Sequence, residues 1–415
     1  MKRIVFNVVA GTLAVVIVLV GLELLATGYL LVRDRRYTPA RARLAAARRN
    51  TFIDMVTAGS SGCRYVDTLF PHPYLAFVHH GNAPCGVADV NNIGLFGRDF
   101  PSEKPGDKFV VLVTGGSVAA QFMRFVRGGP SYLEAALNRD YDSPTGRPFW
   151  LLNGGDGAWK QPQQLFLFLL YADAVDAVVT LDGFNEHFML GGFMRFEYPA
   201  NNFAFVNPMA NSDFSDVVKR WMAARVFTFA TGNPILSRSQ AVYLVLARID
   251  QYLRETPAAA VPRKTTVESM FALPGTWSKE QRIGWTDAQY QKYIRAMDAV
   301  AAQHHVLTAH FIQPAPAIGK VLTPEERTLA EPLDYAALYQ RMTRDLMQLQ
   351  SDGTPIFSLL DVFNERHDTL YADKVHVHQD EDGTSEGYRL IAERIARQLG
   401  ETWQLERKKL ASVHP

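Results

Sequence analysis

The sequence predicts an α/β protein: a three-layer sandwich of helices around a parallel sheet, preceded by one membrane-spanning helix. Three observations carry that expectation. Short, continuously apolar runs recur along the chain and each ends in Gly, Asn, Asp or Gln-Pro. Helical patterns lie between those runs, an alternation that builds βαβ units. The amino terminus opens on a long stretch without charge. With 415 residues, 47% of them apolar, the chain has ample material for a packed core. Its 43 basic and 42 acidic side chains nearly cancel, which argues against a nucleic-acid footprint. Only 2 cysteines among 29 glycines and 22 prolines exclude disulfide-scaffold and collagen-like classes.

Residues Ile4 to Leu22 are uncharged and follow Lys2 and Arg3. At about 1.5 Å per residue they span a hydrocarbon layer of roughly 30 Å. Residues 1–32 are therefore read as an anchor that stays attached, with a cleaved signal peptide as the alternative for the same run. The arginines that follow, from Arg33 to Arg49, would by the positive-inside rule leave the carboxyl side in the cytoplasm. The signal-like start and the close pair Cys63 and Cys85 point the other way, to an extracytoplasmic, periplasmic body on a single-pass anchor in the inner or plasma membrane. That pair suits one disulfide in an oxidising compartment or two separate buried thiols. Residues 33–106 read as a juxtamembrane stalk and lead-in, in which the arginines of 37–50 would meet lipid headgroups.

The main domain is placed at 107–400. Phe109 to Val113 ends at Thr114-Gly115-Gly116, Phe149 to Leu152 at Asn153-Gly154-Gly155, and Ala177 to Leu181 at Asp182-Gly183. Val306 to Ile312 ends at Gln313-Pro314. Runs without alternation are how strands buried on both faces read. Helices are expected at Gln163 to Ala174, Thr286 to Ala302 and Glu386 to Leu399. Residues 188–274 break the alternation and are read as an insertion, helical from Ser215 to Glu255, serving either as a lid or as a packing subdomain. Residues 401–415 form a basic tail.

Chemistry in such sheets gathers at the carboxyl ends of the strands, and four blocks there carry polar residues. Ser117 follows a strand and opens a helix, where a hydroxyl can attack a carbonyl while its own amide helps bind the oxyanion. The glycine block Asn153-Gly154-Gly155-Asp156-Gly157 lets backbone N–H groups approach a ligand closely. Asn185, in Gly183-Phe184-Asn185-Glu186, can donate its side-chain amide to developing negative charge. Asp373, three residues before His376, can orient that imidazole as general base.

Taken in order, these blocks resemble the SGNH (GDSL-type) hydrolase superfamily over about residues 107–400, apart from the insertion. Asn91 to Gly97 also looks like the segment before the serine block in membrane-anchored members. The resemblance implies a flavodoxin-like αβα fold, Ser117 as nucleophile, His376 as base and Asp373 as its partner. It implies an oxyanion hole from Ser117, Gly157 and Asn185, no cofactor or metal, and an ester or acylated carbohydrate or lipid as substrate. Membrane-linked relatives transfer acyl groups to envelope polymers, so an O-acyltransferase beside a multi-span acyl donor is a second expectation. Two departures stand out: Gly116 replaces the family's Asp, and Glu186 stands where Asp is commoner. With the insertion they motivate a third expectation, a non-catalytic envelope scaffold.

Other readings are weaker. A nucleotide turn at Thr114 to Ser117 would want glycines where Ala119 and Gln121 stand. A calcium loop beginning at His378 would need Glu where Arg389 sits. Lys160, Gln161, Gln163 and Gln164 follow the glycine block and would either contact substrate or simply be exposed at a helix start. Phe188, Phe193, Phe196 and Tyr198 would line an acyl or sugar groove or pack a core. His304, His305 and His310 are expected to be structural or exposed.

Overall fold

The computed structural model describes residues 2–48, 69–79, 90–199, 214–255 and 267–408. Cys63 and Cys85 lie outside the described residues. The chain divides into two compact units, one of Thr68–Val206 with Thr265–Pro415, the other of Met1–Asp67 with Asn207–Lys264.

The first unit begins with an antiparallel hairpin, β1 (Leu69–His72) and β2 (Ala76–His79). Its sheet contains β3 (Phe109–Gly115), β4 (Phe149–Gly155), β5 (Ala177–Asp182), β6 (Leu307–Ile312) and β7 (Ile356–Ser358). All neighbours are parallel, in the order β4-β3-β5-β6-β7. This is the doubly wound, flavodoxin-like order. Every residue of β3 and β5 is buried, which explains why their sequences show no alternation. Alternate side chains nonetheless serve different cores. Val110, Leu112 and Val178 pack with Phe168, Ile294 and Met297 on one face. Val111, Val113 and Val179 pack with Leu137, Ile391 and Ile395 on the other.

From β3 the chain passes through α3 (Ser117–Phe122) and α4 (Tyr132–Asp140) to β4, then returns through α5 (Gln163–Tyr171) to β5 on the opposite side of β3. The carboxyl ends of β3 and β5 therefore flank the switch point, where loops diverge and leave a crevice. The four expected strands are present; β7 was not expected, because Ile-Phe-Ser after Thr-Pro is too short to show a pattern. The Thr286 to Ala302 helix is longer than expected, running Lys279–His304 from a Ser278 cap whose oxygen accepts the Gln281 N–H.

The second unit holds α1 (Lys2–Asp34), α2 (Ala40–Arg48) and the helices Phe214–Gly232 and Gln240–Glu255, with Leu44, Phe227, Ala230 and Leu246 at its core. The single helical stretch expected from Ser215 to Glu255 is thus two helices. Pro234 has no N–H to continue the first, and the Asn233 side chain accepts from the N–H groups of Ile235 and Leu236 instead. Within α1, Val9–Asp34 is long and apolar enough to cross a membrane.

Candidate active site

Ser117 is the first residue of α3, directly beyond β3. Helix starts leave their first amides without intrahelical acceptors, so the Ser117 N–H stands beside its own hydroxyl. His376 comes from a tight hairpin in which the Ala372 N–H donates to the His376 carbonyl and the His378 N–H to that of Leu370. Although 259 positions separate them, His376 Nε2 lies 2.7 Å from Ser117 Oγ. On the other side of the ring, Nδ1 lies 2.8 Å from Asp373 Oδ2. Asp373 Oδ1 accepts the N–H groups of Val375 at 2.8 Å and His376 at 2.7 Å.

Protonation follows from these contacts. Partial burial works to raise the Asp373 carboxyl. The hydrogen bonds from the His376 ring and from the backbone more than reverse it and bring it down to about 2. An ionised carboxylate only accepts, so the proton of neutral His376 belongs on Nδ1, and Nε2 is left to accept from Ser117. A depressed carboxyl contributes stability above its unfolded value and loses it as pH falls towards 2, so Asp373 keeps its charge throughout the weakly acidic range.

Asn185 lies in α6 (Phe184–His187), beyond β5. Its Nδ2 donates to the Trp159 carbonyl at 2.8 Å, which leaves the amide's second N–H for another acceptor. A Cβ on Gly116 would come within 2.3 Å of that same nitrogen. Glycine before the serine is therefore a packing requirement: Asn185 occupies the space that a side chain at 116 would need.

Gly157 is placed differently from expectation. Its N–H donates to Asp156 Oδ1 at 2.6 Å, and the same oxygen lies 3.0 Å from Nε2 of the fully buried His79. The amide is committed to a neighbouring carboxylate, as a glycine reading of the sequence alone would not show.

The expectation for residues 160–164 is overturned. Lys160, Gln161, Gln163 and Gln164 are all buried and do not face solvent. Lys160 Nζ donates to the carbonyls of Gln161 and Phe196 and lies over the Phe196 ring. Burial lowers its ammonium to about 8, against the opposing pull of Glu186 and Glu197. Glu186 accepts from the N–H groups of Gly183 at 2.8 Å and Gln161 at 3.1 Å, binding the loop after β5 to the loop after β4. A glutamate side chain has the reach to make both contacts. Burial, with the charge of Glu186 added, holds Asp182 well above the carboxylate range, and Tyr290 O–H donates to it.

Of the aromatics, Phe196 is core, stacked against Tyr290 and Tyr293, whereas Phe188 and Phe193 are exposed. His310 is buried between Thr180 and Asp298, His304 pairs with Asp173, and His378 is exposed beside Asp380. Among the described residues no His, Cys, Asp and Glu cluster could hold a metal ion.

Glu326 was missed. Thr323-Pro-Glu-Glu326 has the form of a capping box, and Thr323 and Glu326 do exchange those bonds. The sequence does not reveal where the carboxylate reaches. Oε1 accepts the N–H groups of Leu370 at 2.7 Å and Tyr371 at 3.0 Å, at the root of the hairpin bearing Asp373 and His376. Oε2 receives Lys320 Nζ at 2.7 Å, with both side chains wholly buried. Burial pushes this carboxyl up, but Lys320 and the backbone N–H groups outweigh it and leave it lowered. Glu326→Gln strands a buried cation and is expected to destabilise the protein by about 3–5 kcal/mol. Thermal unfolding checks this, and adding Lys320→Met is expected to restore part of the loss.

No family model matches the chain, and no curated protein matches it. Among solved structures, the chain is similar to an acylhydrolase from Bacteroides fragilis at 11% identity, covering 74% of this chain and 92% of that one, with a TM-score of 0.33. It is similar to an acetyl xylan esterase at 11% identity over 70% and 98% of the two chains, TM-score 0.33. A GDSL-like lipase from Bacteroides thetaiotaomicron aligns at 10% identity over 71% and 88%, TM-score 0.31. Likenesses this distant carry no functional weight.

Proposed function

We propose that this chain is a membrane-anchored, extracytoplasmic serine hydrolase of the SGNH type that acts on ester bonds. The observation that carries the proposal is the continuous chain of hydrogen bonds from Ser117 through His376 to Asp373. Ser117 Oγ attacks the acyl carbonyl carbon as its proton passes to His376 Nε2, and ionised Asp373 stabilises the imidazolium that forms. The oxyanion is received by the Ser117 N–H and the second N–H of Asn185. Gly157 would first have to release Asp156, so two donors are assigned. Collapse breaks the ester C–O bond, His376 returns the proton to the departing alcohol, and water activated by the same imidazole releases the acid. The apolar Val9–Asp34 segment supports attachment to a membrane.

A fluorophosphonate probe tests the site directly. Full-length protein in detergent is expected to label on Ser117, and His376→Ala to lose the label. Absence of labelling in the native sequence would leave the scaffold reading standing. Product analysis with an acetylated ester and an oligosaccharide acceptor separates the two enzymatic outcomes, free acid for hydrolysis and acylated sugar for transfer.

A further inference from the structure

We infer that the helix Phe214–Gly232 lies on the lipid surface beside the anchor, held at that depth by Glu23. This rests on the proposed membrane attachment of α1 and extends it to part of the chain that its sequence does not mark as membrane-associated.

Glu23 is the first charge after the uncharged run Ile4 to Leu22. Nineteen helical residues at about 1.5 Å each nearly cross the hydrocarbon layer, which puts residue 23 at its boundary. A carboxylate there needs partners, and the Gln240–Glu255 helix supplies them. Glu23 accepts from Ser239 Oγ at 2.6 Å, from the Gln240 N–H at 2.7 Å and from the Ala241 N–H at 3.2 Å. Gln240 Nε2 donates to the Thr38 carbonyl at 2.7 Å, and Arg43 bonds Asp34. Ala26 and Leu30 of α1 are buried, while Leu24, Leu25 and Val32 remain uncovered. The end of α1 thus has one protein-facing side and one apolar side left open.

The Phe214–Gly232 helix has the same two-sided character. Phe227 and Ala230 enter the small core with Leu44 and Leu246. Met222, Val226 and Phe229, spaced by four and three residues on one face, are 56%, 54% and 67% exposed. Exposed Lys219 and Arg225 stand three residues to either side of Met222, where their long stems can lie along apolar surface while the charges meet headgroups. Ile235, in the following turn, is also uncovered. An apolar stripe bordered by basic side chains fits an anionic bilayer surface. Its occurrence in the same unit as a membrane-length helix makes lipid the occupant argued for, ahead of a second copy.

The photoreactive residue p-benzoylphenylalanine, placed singly at positions 13, 226, 229 and 401 of the full chain, tests this in vesicles of phosphatidylcholine and phosphatidylglycerol. Leu13 lies in the uncharged run, and exposed Glu401 serves as a water-facing control. Lipid adducts are expected at 13, 226 and 229 and not at 401. Glu23→Ala is expected to abolish the adducts at 226 and 229 while keeping that at 13. An adduct at 13 alone overturns this inference and leaves the anchor intact. Cross-linking of 229 to another copy of the chain overturns it in favour of self-association. No adduct at 13 overturns both, and persistence of the 229 adduct in Glu23→Ala overturns the role given to Glu23.

Discussion

Ser117→Ala is expected to lower ester turnover by roughly 10⁴–10⁶ while leaving the fold unchanged. The size follows from what is lost: the hydroxyl bonded to His376 Nε2, and with it the covalent route. Alanine keeps the backbone amide at the start of α3 and leaves Asn185 in place, so both proposed oxyanion donors survive and residual turnover should exceed the uncatalysed rate. Steady-state rates on a short-chain ester, beside unfolding curves for both proteins, measure the two halves of this expectation. Unaltered turnover would remove Ser117 from the mechanism. Turnover that falls together with the unfolding midpoint would instead indicate a structural defect.

The second large effect concerns a position that looks innocuous. Gly116→Asp is expected to lower kcat by about 10²–10³, the loss typical of one oxyanion donor. The cause is the Cβ alone, which would lie 2.3 Å from Asn185 Nδ2; the Trp159 carbonyl at 3.1 Å closes the other side. Gly116→Ala should therefore be nearly as damaging. Because both act on Asn185, Gly116→Ala combined with Asn185→Ala is expected to be no worse than Asn185→Ala by itself. That non-additivity distinguishes a displaced amide from two independent injuries. If the effects instead multiply, position 116 matters for some reason other than Asn185.

The parts of this protein legible in its sequence are those governed by local rules. The β3 run Phe109 to Val113 and the β5 run Ala177 to Leu181 stand out because burial on both faces demands unbroken apolar residues. Ser117 and Asn185 could be singled out because strand ends in such a sheet face the crevice. Contacts between distant loops left no local trace. Nothing in Lys160-Gln-Pro-Gln-Gln164 signals that its polar groups turn inward to meet Glu186 and Phe196. Nor does the capping box at Glu326 announce that the same carboxylate holds the segment before Asp373. Glycines mislead in the same way: the neighbouring Asp156 takes the Gly157 N–H, whereas the bare Gly116 leaves the space that Asn185 occupies.

The hairpin bearing His376 follows 259 positions after the serine it serves. Under the proposed chemistry, a fragment still emerging from the ribosome or an export channel carries at Ser117 only an ordinary alcohol. Reactivity switches on only when the hairpin has followed and docked, so the order of the two blocks along the chain delays the chemistry until the strands between them have been made.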